Sequence, residues 1–154
     1  MTVDEVLEFV QEGFQLAGGF APALFVIGVE DKQVVLFNTL QGKKPHEQEL
    51  MLEFTGTTVA SSYDLGELAR VYYVSVRTVR QDDDLKGREV LFIDRYDVGE
   101  KARQVFIYRI KKMKNGRVSL ILLDGEICDP WADRSLLSAF VKGYQEHLGG
   151  RIID

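Results

Sequence analysis

The chain has 154 residues, 45% hydrophobic and 28% charged, with a formal net charge of −5 and one cysteine, Cys128. That size suits one globular domain that buries roughly two-thirds of its unfolded surface and needs neither disulfide nor metal to hold it. The acidic balance argues against a general nucleic-acid binder, whose affinity comes from neutralising phosphates, and the lone thiol excludes an internal disulfide and favours a reducing, cytoplasmic setting.

Met1-Thr2-Val3-Asp4-Glu5 has neither the basic nor the apolar region of a signal peptide. The longest apolar runs, such as Ala23–Ile27 and Leu120–Leu123, fall far short of the ~20 residues a spanning helix needs, so a soluble chain without a membrane partner is expected.

Val3, Val6, Leu7, Val10, Phe14 and Ala17 recur at helical spacing and predict a first helix. Thr2 and Glu5 stand as a capping box, and Gly18-Gly19 supplies the stop. Ala23 to Val29 is apolar without alternation, as in a strand covered on both faces or one interior to the sheet. Glu30-Asp31-Lys32 turns it into a second strand, Gln33 to Thr39. Pro45 opens a second helix running to about Ser62. Its Thr55, Gly56, Thr57, Thr58 and Val59 disfavour helix, so its second half is expected to fray or turn extended.

Four strands follow: Ala69–Val79, Arg88–Asp94, Arg103–Met113 and Arg117–Asp124. Lys114-Asn115-Gly116 joins the last two, and Asn-Gly is the mark of a type I′ hairpin turn. Along Val71–Thr78, Tyr72, Val74 and Val76 share one face and Tyr73, Ser75 and Arg77 the other, suggesting one core face and one partly wet face. Asp129 or Asp133 would cap a last helix with an apolar stripe of Leu136, Leu137, Phe140, Val141, Tyr144 and Leu148, ended by Gly149-Gly150. The expected fold is α+β: a single layer of mainly antiparallel six-stranded sheet with three helices on its core face, in the order α-β-β-α-β-β-β-β-α.

No catalytic or cofactor motif stands out. Gly18-Gly19 precedes a strand, whereas a dinucleotide fingerprint follows one. The densest chemistry lies between the last strand and the last helix, where Asp124, Glu126, Cys128, Asp129, Trp131 and Asp133 gather carboxylates, a thiol and the only tryptophan. Such a connection could bind a divalent cation or supply an acid and a base, although its spacing is not that of an EF-hand; a capped helix start is the plainer reading. His46, Glu49 and Glu53 have the spacing of metal ligands along one helix face, or of a solvated helix start. Asp82-Asp83-Asp84 reads as a solvated loop, and Lys111, Lys112, Lys114 and Arg117 as a basic hairpin tip that could touch an acidic partner or simply discourages aggregation.

The element order resembles that of the MPN/JAB domain family, whose catalytic members hold zinc through a His-x-His pair with a downstream Asp. Ser61-Ser62-Tyr63-Asp64 is similar to that family's Ser-x-x-Asp tail, but the chain has no His-x-His, so the resemblance implies a non-catalytic scaffold. The strands around Pro22–Val26, Val71–Ser75 and Arg88–Phe92 also resemble small uncharacterised bacterial proteins, which implies a fold and no activity.

The expected function is therefore non-catalytic: protein contacts or self-association as a homodimer, without a cofactor. Tyr72, Tyr73, Tyr96 and Tyr108 are the candidate interface, since tyrosine packs its ring while its hydroxyl stays wet. The alternatives are a carboxylate- or metal-dependent hydrolase built on the 124–133 segment, and a module binding a small ligand between helix and sheet.

Overall fold

The computed structural model describes the backbone of residues 1–37, 44–79, 88–128 and 136–153, and the side chains of 1–37, 44–78, 88–123 and 136–147. Its elements are α1 (Val3–Ala17), β1 (Ala23–Gly28), β2 (Gln33–Phe37), α2 (Pro45–Ser62), β3 (Leu68–Val79), β4 (Arg88–Asp97), β5 (Ala102–Lys112), β6 (Val118–Cys128) and α3 (Leu136–Ile153). The expected order is present, and the six strands form one antiparallel sheet ordered β2-β1-β3-β4-β5-β6.

The helices do not share one face. α1 lays Val6, Val10 and Phe14 on Phe25, Ile27, Tyr72, Val74, Leu91 and Ile93. α2 and α3 cover the opposite face, where Leu52, Val59, Leu137, Phe140 and Tyr144 meet Leu24, Val26 and Val71. The sheet is therefore the middle of three layers here, which explains why every residue of β1 is buried. Along β3 this second face is core at Val71, half-covered at Tyr73 and exposed at Arg77, with Ser75 buried, so it is partly wet as expected.

α1 follows the sequence closely. The Thr2 hydroxyl accepts from the Glu5 backbone and the Glu5 carboxylate accepts from the Thr2 backbone, each at 3.4 Å. Gly18 ends the helix at φ +74°, in the left-handed region that glycine enters without a Cβ clash.

α2 does not fray. The Thr55 hydroxyl donates to the Met51 carbonyl at 2.7 Å, Thr57 to Glu53 at 3.2 Å and Thr58 to Phe54 at 3.0 Å, so the β-branched residues bond back into their own helix. Gly56 is a packing residue: a Cβ there would strike the Phe140 carbonyl, and one on Gly143 would strike the Glu53 carbonyl. Two glycines thus let α2 and α3 touch backbone to backbone, and the Thr57 hydroxyl also reaches the Gly143 carbonyl across the contact at 3.2 Å. α3 runs on through Gly149-Gly150 to Ile153, since glycine weakens a helix without obliging it to stop. Asp129 and Asp133, named as its possible caps, lie outside the described residues, as do Thr39 and Asp82-Asp83-Asp84.

The β5–β6 turn also differs from expectation. Only Gly116 has positive φ, +81°. The Gly116 N–H donates to the Met113 carbonyl at 3.2 Å, and the Met113 N–H to the Arg117 carbonyl at 2.8 Å, a turn closed by one left-handed residue. The β1–β2 turn repeats this pattern, with Asp31 at φ +61° in the position of the glycine.

Candidate functional site

The tyrosines offer little surface. Tyr72 is fully buried and its hydroxyl donates to the Met1 carbonyl at 3.1 Å. Tyr96 and Tyr108 are 8% and 6% exposed, and burial pushes both phenols above their ordinary pKa. Tyr73 is partly buried against the α2–α3 core. Tyr72 and Tyr73 lie on opposite faces of β3, Tyr96 on β4 and Tyr108 on β5, and the burial of Tyr72, Tyr96 and Tyr108 makes them stabilise the fold from within.

The acidic segment divides. β6 extends four residues beyond its expected end at Asp124, so Glu126 and Cys128 join Asp124 as strand positions, paired with Val105, Arg103 and Ile107. Asp129, Trp131 and Asp133 lie outside the described residues. The acidic connection is thus in part the continuation of an edge strand.

His46, Glu49 and Glu53 do share one side of α2, along a groove with Ser138, Ala139 and Lys142 of α3. Lys142 Nζ reaches Glu53 Oε1 at 3.8 Å. Among the described residues no group of three or more His, Cys, Asp or Glu side chains is placed to hold a metal.

A charged cluster at one end of the sheet had no sequence motif. Asp97 Oδ1 faces Arg70 Nε at 3.5 Å and its Oδ2 faces Arg95 Nε at 3.3 Å, while Arg95 also donates to the Gln104 amide oxygen. Both Nε atoms are buried and misaligned for hydrogen bonding, so the attraction to Asp97 is ionic. A hydrogen bond with Tyr72 holds Arg70 further toward its charged form, against the opposing effect of burial. On the other face Arg103 Nε donates to Asp94 Oδ1 at 3.0 Å. Burial nonetheless raises the Asp94 carboxyl above its ordinary pKa, with Arg103 pulling the other way. The cross-strand registers Arg70↔Asp97 and Asp94↔Val105 create these neighbours, and such registers are invisible in a linear sequence. An open hollow of about 640 Å³ beside this cluster is lined by Glu67, Arg70, Asp97, Glu100 and Tyr144. Its main charges, Arg70 and Asp97, already answer each other.

Exposed apolar residues occur elsewhere, Phe37 on β2 and Leu50 and Phe54 on α2 among them, and three in a row lie on β6. β6 is the last strand of the sheet order and is 11 residues long. Ile121, Leu122 and Leu123 on it are 46%, 55% and 57% exposed. A register shift opposite Ile107 and Tyr108 pairs Tyr108 with Leu122 and Ile107 with Asp124, leaving Leu123 as the extra residue of a bulge. Gln11 of α1 donates from Nε2 to the Val118 carbonyl at 3.4 Å, so this carbonyl turns away from β5. Among the described residues, no strand pairs with the outer side of β6. An edge of this length with adjacent aliphatic residues is a template for another strand. The sequence did show the Leu120–Leu123 run; it could not show that this run would fall on an edge.

Comparison with family models, with curated proteins and with solved structures finds no match to this chain, so the likeness of element order to MPN/JAB domains gains no support.

Proposed function

We propose that this chain is a non-catalytic domain that works by associating with itself, and that its working surface is the β6 edge. The observation that carries this reading is the exposed Ile121-Leu122-Leu123 run on the open side of the sheet. Burying adjacent aliphatic side chains while satisfying a row of backbone donors and acceptors gives a sheet edge both a hydrophobic and a hydrogen-bonding reason to associate. The same reading places the domain in the cytoplasm, where its single thiol, Cys128, stays reduced. Among the described residues, no helix is long and apolar enough to cross a membrane.

Sedimentation of the purified chain across a concentration series tests the reading. Association that a lysine at Leu122 weakens at least tenfold supports it. A monomer throughout the micromolar range, unchanged by that substitution, overturns it.

A further inference from the structure

We infer that the partner at the β6 edge is the β6 strand of a second copy, antiparallel to the first and centred on Ile121. This inference rests on the self-association reading and specifies its geometry.

The sequence of β6 is complementary to its own reverse. Arg117 precedes the strand, an aliphatic run occupies its middle, and Asp124 and Glu126 stand in its second half. Antiparallel pairing therefore brings the basic start of one copy to the acidic half of the other. A twofold axis normal to the sheet adds a further condition, since opposed residues must occupy the same face of the strand. In a regular strand, Arg117 and Glu126 would fall on opposite faces, because an odd number of steps separates them. The bulge at Leu123 removes one step from that count. With Ile121 on the axis and Leu123 unmatched, Leu120 faces Leu122, Ser119 faces Asp124 and Arg117 faces Glu126. Aliphatic positions then align at the centre and positions of opposite charge align at both ends of the register.

The backbone agrees with this register. The Val118 carbonyl turns outward to meet Gln11. Alternation along the strand turns the peptide groups of Leu120 and Leu122 outward as well, and those of Ile121 inward toward β5. Leu120 and Leu122 of the two copies can thus exchange hydrogen bonds, while Ile121 opposes itself in a non-hydrogen-bonded pair. Gln11 already occupies the Val118 carbonyl, so the shared ladder is centred on Leu120–Leu122.

The test is a cysteine at the axis. In a Cys128→Ser background, Ile121→Cys brings two thiols together on backbones about 4.5 Å apart at Cα, within the range a disulfide accepts. Mild oxidation is expected to link this variant into covalent dimers at least tenfold faster than Ser119→Cys, whose partner across the interface is Asp124. Leu122→Pro removes an outward donor without touching the β5 ladder and is expected to yield a folded monomer. Leu122→Lys is the second variant, keeping the backbone donor. Arg117→Glu is expected to weaken the dimer severalfold, and the Arg117→Glu/Glu126→Arg double variant to restore it. A dimer in which Ile121→Cys links no faster than Ser119→Cys overturns this geometry and leaves self-association standing. A wild-type monomer at high micromolar concentration overturns both.

Discussion

The two helical layers hold the same sheet by different means. α1 does so with side chains: Val6, Val10 and Phe14 are buried, and Phe9 adds an edge-to-face contact with Phe25 at 5.3 Å between centroids. α2 and α3 first hold each other, through Gly56 and Gly143, and then face the sheet as a pair. A layer built on a stripe loses stability in proportion to the volume removed from it. A layer built on a backbone contact fails when volume is added.

The largest effect should therefore come from enlarging Gly56. Gly56→Leu is expected to cost ~3 kcal/mol or more, because the obstacle is the Phe140 carbonyl rather than a mobile side chain. A collapse of the urea midpoint, or failure to fold, would show it; a loss below ~1 kcal/mol would deny the close approach. On the other layer, Val10→Ala removes two methyl-sized groups from a fully buried site and should cost about 2 kcal/mol, with the urea slope unchanged. Thr2→Ala tests the entry to α1 and should cost roughly 0.5–1 kcal/mol, at the low end for a cap because its hydrogen bonds are long. A smaller change of opposite sign is expected away from both layers. Lys101 sits at φ +52° in the β4–β5 turn, and Lys101→Gly should stabilise by about 0.5 kcal/mol, seen as a small rise in thermal midpoint.

Asp94 sharpens the comparison through pH. Its folded pKa is raised, with burial as the leading cause, so ionising it opposes folding. That opposition is present above the folded pKa and is relieved as pH falls through it toward the ordinary carboxylate value. The stability of the wild type relative to Asp94→Asn should therefore improve as pH is lowered through this window. Thermal melts of both proteins at stepped pH would show it, and a difference that moves the other way would contradict the assigned direction.

How much of this was legible follows the same division. The stripe, capping box and glycine stop of α1 are local signals and led to the right helix. The unbroken apolar run Ala23–Ile27 correctly announced a strand covered on both faces. Gly56 misled because its propensity is local while its purpose lies on another helix, 87 positions away at Gly143. The Asn115-Gly116 pair located a hairpin but not its turn geometry. Tyr72, Tyr73 and Tyr108 fall in strands the sequence predicts, whereas Tyr96 lies in a β4 that runs three residues past its expected end at Asp94, and a sequence shows which residues alternate but not what covers each face. Of the acidic segment, only Asp124, Glu126 and Cys128 fall in described structure, and there the strand continued past its expected end.

The strand order has a consequence for how the chain reaches this fold. From β3 to β6 each strand pairs with its sequence neighbour, so that meander closes through short connections. β1 pairs with its neighbour β2 through a tight turn, but its other partner is β3, with Ala23 against Val74, and that pairing must wait for β2 and α2 to be traversed. Loop entropy then favours a nucleus in the C-terminal sheet. The most deeply buried strand of the finished molecule would be among the last to be secured, and damage to β1 should speed unfolding far more than it slows folding.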